Sequence, residues 1–229
     1  MLADKSFLAI IPARGGSKRL KNKNILPLSE KPLIAYSIEA GLQSKYIDKV
    51  VVSSDSSDIL EVAQKYGANT IKRPEELASD TASTFDAINH TLQHYQEYDY
   101  IVLLQATSPL RTYKHIDEAI ERLEKKSADA IVSVCEMDHS PLWSNTLDED
   151  ESLSDFLDES IANKRSQDLE QYYRINGAIY ICQREKLLFE KNFFIKEKIY
   201  AYKMDKKYSI DIDEAIDFQI AEVLLSTFE

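Results

Sequence analysis

As far as residue 135, short β-branched runs alternate with stretches of helical period, and this alternation constrains the fold more than any other feature of the chain. FLAIIPA (7–13) has the pattern of a buried strand. Residues 32–45 read as a helix with Leu33, Ile34, Ser37, Ile38, Gly41 and Leu42 on one face. KVVVS (49–53) is a second strand, and 58–66 a helix that Gly67 is placed to end. A short strand at 69–72, a helix at 84–98, the strand YIVLLQ (100–105), a helix at 115–126 and a strand at 130–135 follow. Strands separated by helices build βαβ units, so the expected fold class is α/β with a mostly parallel central sheet. The rhythm breaks over 140–172, which is polar and irregular and reads as an insertion. It resumes at AIYIC (178–182) and 199–203. The spacing then predicts a last helix after Asp213 with Ile216, Ile220, Val223 and Leu224 facing inward.

Charge narrows the function. The 229 residues carry a net charge of −11, with 28 Lys+Arg against 39 Asp+Glu. Yet Lys5, Arg14, Lys18, Arg19, Lys21 and Lys23 follow one another with no acid before Glu30. An acidic chain repels nucleic acid and anionic membrane at long range, so neither is an expected partner. A local basic segment can still hold a small anion. No apolar run approaches the ~18 residues of a membrane span. The first residues lead into a strand rather than a secretory signal. Cys135 and Cys182 lie in apolar runs without metal-ligand spacing and read as reduced packing residues of a cytoplasmic protein.

Several segments can carry chemistry. IPARGGSKRLKNKN (11–24) follows the first strand, where an open sheet binds ligands. Its Gly15-Gly16 pair lets backbone N–H groups approach a phosphate, and Arg14, Lys18 and Lys23 add charge. It matches neither phosphate-loop nor dinucleotide spacing, and a solvated basic loop fits equally well. In SIDIDE (209–214), Asp211 and Asp213 are two apart in an extended segment and point to one side. They suit Mg²⁺, although Asp213 also suits the cap of the last helix. RPEELASDTAST (73–84) reads as a loop with capping hydroxyls. Gln105 closes the strongest strand, at a ligand position or an ordinary turn. Asn176-Gly177 implies a positive-φ turn before a strand, with Arg174 free to hold a carboxylate or lie on the surface. His90 and His94 read as a solvated helix face.

Taken in order, IPARGGSK, KN, RPEELASDTAS, LLQATSPLR, NGAIYI, NFFI and SIDID resemble the CMP-N-acylneuraminate (CMP-sialic acid) synthetases, a cytidylyltransferase family, over nearly the whole chain. The resemblance implies a Rossmann-like nucleotidyltransferase, one domain over 1–229 with an inserted dimerisation segment at about 140–175. The implied reaction transfers CMP from CTP to the anomeric C2 hydroxyl of a sialic acid and releases pyrophosphate. By the same resemblance, Arg14, Lys18, Lys23 and Asp211 are catalytic. Ala13, Arg14, Gly15, Lys18, Lys23, Asn24, Arg73 and Thr84 contact the nucleotide. Gln105, Arg174, Phe193 and Phe194 contact the sugar acid, and Asp211 and Asp213 hold Mg²⁺. A homodimer is implied, its partner able to supply the aromatic pair; in isolation Phe193-Phe194 reads as core packing.

Two departures bear on the acceptor. Ala106 stands where relatives often have Pro, and KRSQDLE (164–170) differs from a common Arg-Arg-Gln-Asp-Leu-Pro run. Other nonulosonic acids (legionaminic, pseudaminic) or Kdo are therefore alternative acceptors, and a non-catalytic nucleotide-binding module is the alternative of another class.

Overall fold

The computed structural model describes residues 4–17, 19–79 and 81–228. Strands β1 (Phe7–Pro12), β4 (Lys49–Ser54), β5 (Asn69–Lys72), β6 (Tyr100–Leu103), β7 (Ala130–Glu136), β8 (Tyr173–Gln183) and β9 (Ile199–Lys203) form one seven-stranded sheet in the order β5-β4-β1-β6-β8-β7-β9. All neighbouring pairs are parallel except those made by β8, which runs against both β6 and β7. A two-stranded hairpin, β2 (Pro27–Leu28) and β3 (Lys31–Pro32), lies beside it. The helices are α1 (Leu33–Gln43), α2 (Ser57–Lys65), α3 (Thr84–Leu92), α4 (Tyr113–Lys125), the single turn α5 (Glu159–Ala162), α6 (Arg184–Glu190) and α7 (Ala215–Thr227).

The unbroken apolar run of β1 follows from burial on both faces. Phe7, Ala9 and Ile11 pack with Ile34, Ile38, Ile59 and Ile116 of α1, α2 and α4. Leu8 and Ile10 face the other way, onto Ile88, Leu92 and Leu187 of α3 and α6. Each such side chain contributes on the order of 1.5–3 kcal/mol of transfer free energy. The chain runs outward from β1 to β4 and β5, then crosses back to β6 on the other side of β1. That reversal opens a crevice at the carboxyl ends of β1 and β6.

Three expectations are corrected. Strand β8 begins at Tyr173, so Gly177 is inside a strand and not in a turn before one. Its φ of +76° belongs to a bulge, where the β7–β8 register breaks between Val132 and Val134. The Ser133 hydroxyl closes this bulge by donating to Asn176 Oδ1 (2.6 Å) and accepting from Ile179 N–H (2.8 Å). Helix α7 buries the opposite face from the one expected. Ala221 is fully buried, with Phe218 and Leu225 packed beside Leu28 and Leu33, while Ile216, Ile220 and Val223 are exposed and Leu224 is half-buried. The helix is apolar on two sides, and Phe218, Ala221 and Leu225 also fall at helical spacing, so period alone does not choose. Lastly, His90 is half-buried and its Nδ1 has no partner, so that face of α3 is not simply solvated.

Residues 137–172 lie off the sheet, closed at their base by Met137 N–H donating to Tyr172 O (2.9 Å). Residues 173–175, counted above with the insertion, belong to β8. Both cysteines are buried free thiols, and burial pushes Cys182 up to about 12. Among the described residues no helix is long and apolar enough to cross a membrane.

Candidate active site

The crevice is a cavity of about 530 Å³. One wall is the loop after β1. Ala13 is core, its N–H donating to Ser53 O (3.0 Å). Gly15 N–H donates to Asp55 Oδ1 (3.0 Å), and a Cβ on Gly15 would sit 3.0 Å from Ser56 Cβ. Gly15 therefore lets this loop close on the loop after β4, and its N–H is already engaged in that contact. Arg14, Arg19, Lys23 and Asn24 line the cavity. Asn24 is buried and its Nδ2 donates to Arg14 O (3.0 Å), pinning the return of the loop. Lys18 lies outside the described residues.

The opposite wall is the 73–84 segment. Arg73 follows β5 and is 4% exposed, 3.8 Å from Asp55. Burial lowers its pKa; Asp55 opposes that, and the charge of Arg14 adds to it. Its Nε has no partner. Ser83 caps α3 in a capping box with Asp86 (Asp86 N–H to Ser83 Oγ, 3.1 Å), which presents Ser83 and Thr84 to the cavity. Four cationic side chains (Arg14, Arg19, Lys23, Arg73) thus face one lining carboxylate, Asp213, among the described residues. In a chain of net charge −11 this is a local concentration of positive charge, which can hold an anion.

Asp211 and Asp213 project to the same side because Ile212 between them is fully buried. Asp213 is not the cap of α7. Glu214 takes that role, and Asp217 Oδ2 accepts from both Asp213 N–H (2.8 Å) and Glu214 N–H (2.7 Å). The Asp213 carboxylate instead accepts from Lys23 Nζ (3.0 Å) and Arg19 Nη1 (3.2 Å). Lys23 holds it below the usual carboxylate range. Desolvation raises Asp211, and the charge of Asp213 raises it further, while a Thr107 hydrogen bond opposes both. Two like-charged carboxylates on one side are a hard-oxygen donor set that fits Mg²⁺ completed by phosphate oxygens and water. Among the described residues no third His, Cys, Asp or Glu joins them.

A second cavity of about 280 Å³ adjoins the first and shares Ser83, Thr84 and Gln105 with it. Phe193 and Phe194 line it with Tyr180, whose ring lies 5.7 and 6.4 Å from theirs. Phe193 is also core, 7% exposed, so packing and cavity lining coexist there. The aromatic pair lines a cavity of its own chain. Arg174 lines neither cavity; its Nη2 donates to Ser209 O (3.3 Å). Gln105 Oε1 and Asp211 Oδ2 converge over Gly177, 2.7 and 4.0 Å from where a Cβ would stand.

Comparison with known proteins matches residues 8–228 to one family model, described as cytidylyltransferase. The chain belongs to the cytidylyltransferase family. Within this family it is 45% identical over 219 residues to the N-acylneuraminate cytidylyltransferase of Escherichia coli O18:K1:H7, covering 94% of this chain and 51% of that protein. The chain thus spans about half the length of that relative. It is 37% identical to the CMP-N,N'-diacetyllegionaminic acid synthase of Legionella pneumophila, covering 96% of both chains. Among solved structures it superposes on a CMP:2-keto-3-deoxy-manno-octonic acid synthetase in complex with CTP at a TM-score of 0.74 and 17% identity, covering 98% of this chain and 100% of that one. That likeness establishes the fold alone.

Sequence reasoning missed Ser83, Arg19, Tyr180 and Asp217. Ser83 was legible as a cap three residues before Asp86. Asp217 stands in the same relation to Glu214. Tyr180 pairs with Leu103 across the β6–β8 ladder, a neighbour that no local pattern reveals.

Proposed function

We propose that this cytidylyltransferase transfers CMP from CTP to the anomeric C2 hydroxyl of an N-acylneuraminate. The single observation that carries the proposal is a cationic cavity opening onto an aromatic one at Gln105, with Asp213 lining the first and Asp211 converging with Gln105 over Gly177. Arg14, Lys23 and Arg73 neutralise and orient the triphosphate, with Arg19 beside them. Asn24, Ser83 and Thr84 frame the nucleoside. The acceptor lies over Tyr180 and Phe194, apolar faces suited to an N-acyl methyl group. The C2 oxygen attacks the α-phosphorus, the bond to the bridging β-phosphate oxygen breaks, and pyrophosphate leaves. The C2 hydroxyl proton passes to Asp211. Asp211 and Asp213 are the residues that would hold Mg²⁺, which supplies charge neutralisation at the phosphates. The enzyme is proposed to work as a homodimer, with residues 137–172, and their exposed Leu142, Leu147 and Leu153, covered by a second copy.

The 45% and 37% relatives differ in acceptor by name, so the acceptor is tested by a panel. CTP and Mg²⁺ are supplied with N-acetylneuraminic, legionaminic, pseudaminic and Kdo acids, and CMP-sugar is read by mass. The highest kcat/KM is expected with N-acetylneuraminic acid. A preference for another nonulosonic acid would reassign the acceptor. CTP binding with no product from any acid would favour a non-catalytic module.

A further inference from the structure

Arg111 heads the fully buried side chains by volume, 1% exposed. Among the described residues no carboxylate lies within ion-pair distance of it, and burial alone lowers its pKa. A buried cation without a counter-charge costs several kcal/mol, and an apolar side chain would be cheaper there. Among the described residues only its Nη2 is engaged, while Nε and Nη1 have no partner. Nη2 donates to Ser37 Oγ (2.6 Å) and lies 3.4 Å from Gln105 O; Ser37 Oγ donates to the same Gln105 O (3.0 Å). Ser37 is fully buried in α1. One backbone carbonyl is therefore gripped from a helix and from the loop after β6 together.

That carbonyl belongs to the residue standing between the two cavities. The other end of Gln105 is fixed too. Its Oε1 occupies the gap left by the missing Cβ of Gly177, where φ is +76°. Gln105 is held at its backbone by charge and at its tip by shape, and a small backbone rotation would swing the amide out of that gap.

We propose that Ser37 and Arg111 are positioning residues that lock Gln105 at the junction of the two cavities, and so set acceptor binding without touching the acceptor. The inference rests on the cytidylyltransferase reading above. Ser37→Ala removes one grip with little change in volume; Arg111→Lys, which risks the fold, is secondary. Ser37→Ala is expected to raise the KM for N-acetylneuraminate about five- to tenfold, a hydrogen bond's worth, and to leave the Kd for CTP within about twofold. In a Gln105→Ala background the same substitution should not change acceptor KM, because the backbone grip then positions no side chain. Equal worsening of CTP and acceptor binding, or a full effect in that background, would overturn the proposal. A readout without substrate separates it from the parent reading. The side-chain amide NMR signal of Gln105, assigned by its loss in Gln105→Ala, should shift or broaden in Ser37→Ala. An unmoved signal would overturn the positioning role whatever the enzyme turns over. A wild-type protein inactive on every acid would overturn the acceptor reading alone.

Discussion

Lys23 and Asp213 stand 190 residues apart in the chain, yet the ammonium of one lies 3.0 Å from the carboxylate of the other. Lys23 also donates to the carbonyl of Ile212. The loop after β1 and the segment before α7 are thereby joined across the mouth of the cationic cavity. In the proposed reaction the metal and the triphosphate meet on that join.

Lys23→Ala removes the lysine from both partners. Turnover should fall by about 100-fold or more, the scale of losing a preorganised charge donor at a transition state. Circular dichroism should stay native-like, and Tm should fall only by the lost tie to Ile212 and Asp213. Pyrophosphate release at saturating CTP is the measurement, and a near-normal rate would remove the assigned role.

Asp213→Ala leaves Asp211 as the only carboxylate of the pair. The Mg²⁺ concentration for half-maximal rate should rise about tenfold or more, and a chelator should abolish the wild-type rate reversibly. A Mg²⁺ titration of both proteins decides this. Identical curves would exclude Asp213 as a ligand.

Asp99 tests stability far from the chemistry. Its carboxylate accepts from Ser6 N–H (2.9 Å) and Ser6 Oγ (3.1 Å), and these bonds lower its pKa, the backbone one most. A depressed folded pKa contributes stability above the unfolded value, roughly 3.9, and that contribution is lost as pH falls through the folded value. Asp99→Asn should therefore lower Tm at pH 7, and the gap to wild type should close below about pH 4. Thermal melts across pH check it, and kcat/KM at pH 7 should not change.

The two faces of α7 should differ sharply. Ala221→Asp places a charge in a fully buried position and should cost about 3 kcal/mol or more. Val223→Asp, on a residue 64% exposed, should stay within about 0.5 kcal/mol. Urea unfolding of the two variants measures both, and a larger cost for Val223→Asp than for Ala221→Asp would mean that α7 docks by the face first expected from its spacing.

The readability of this chain followed the range of the interactions involved. The parallel half of the sheet was visible because β1, β4 and β6 are buried on both faces, so their sequences need no partner to be recognised. The basic loop after β1 was visible because Arg14, Lys18, Arg19, Lys21 and Lys23 fall close together with no acid among them. By contrast, the reversal of β8 depends on which strands it joins, and Gly177 looked like a turn because a bulge and a turn ask the same φ of glycine. Helix α7 offered two apolar stripes, and only contact with Leu28 and Leu33 selects between them. Tyr180 faces Phe193 and Phe194 only once β8 lies against β6, a pairing made by residues some 80 positions away in the chain (Leu103 with Tyr180). Arg174 is a residue type suited to a carboxylate, and only the fold shows that its Nη2 donates to Ser209 O.

In the proposed reaction the cationic cavity holds a triphosphate whose α-phosphate is attacked by a sugar acid in the adjoining one. Pyrophosphate release from CTP, with and without N-acetylneuraminic acid in Mg²⁺ buffer, tests it most directly. Release is expected only when both substrates are present, in equal amount to CMP-sugar formed. Release that ignores the sugar acid, or no release with any nonulosonic acid, would contradict it.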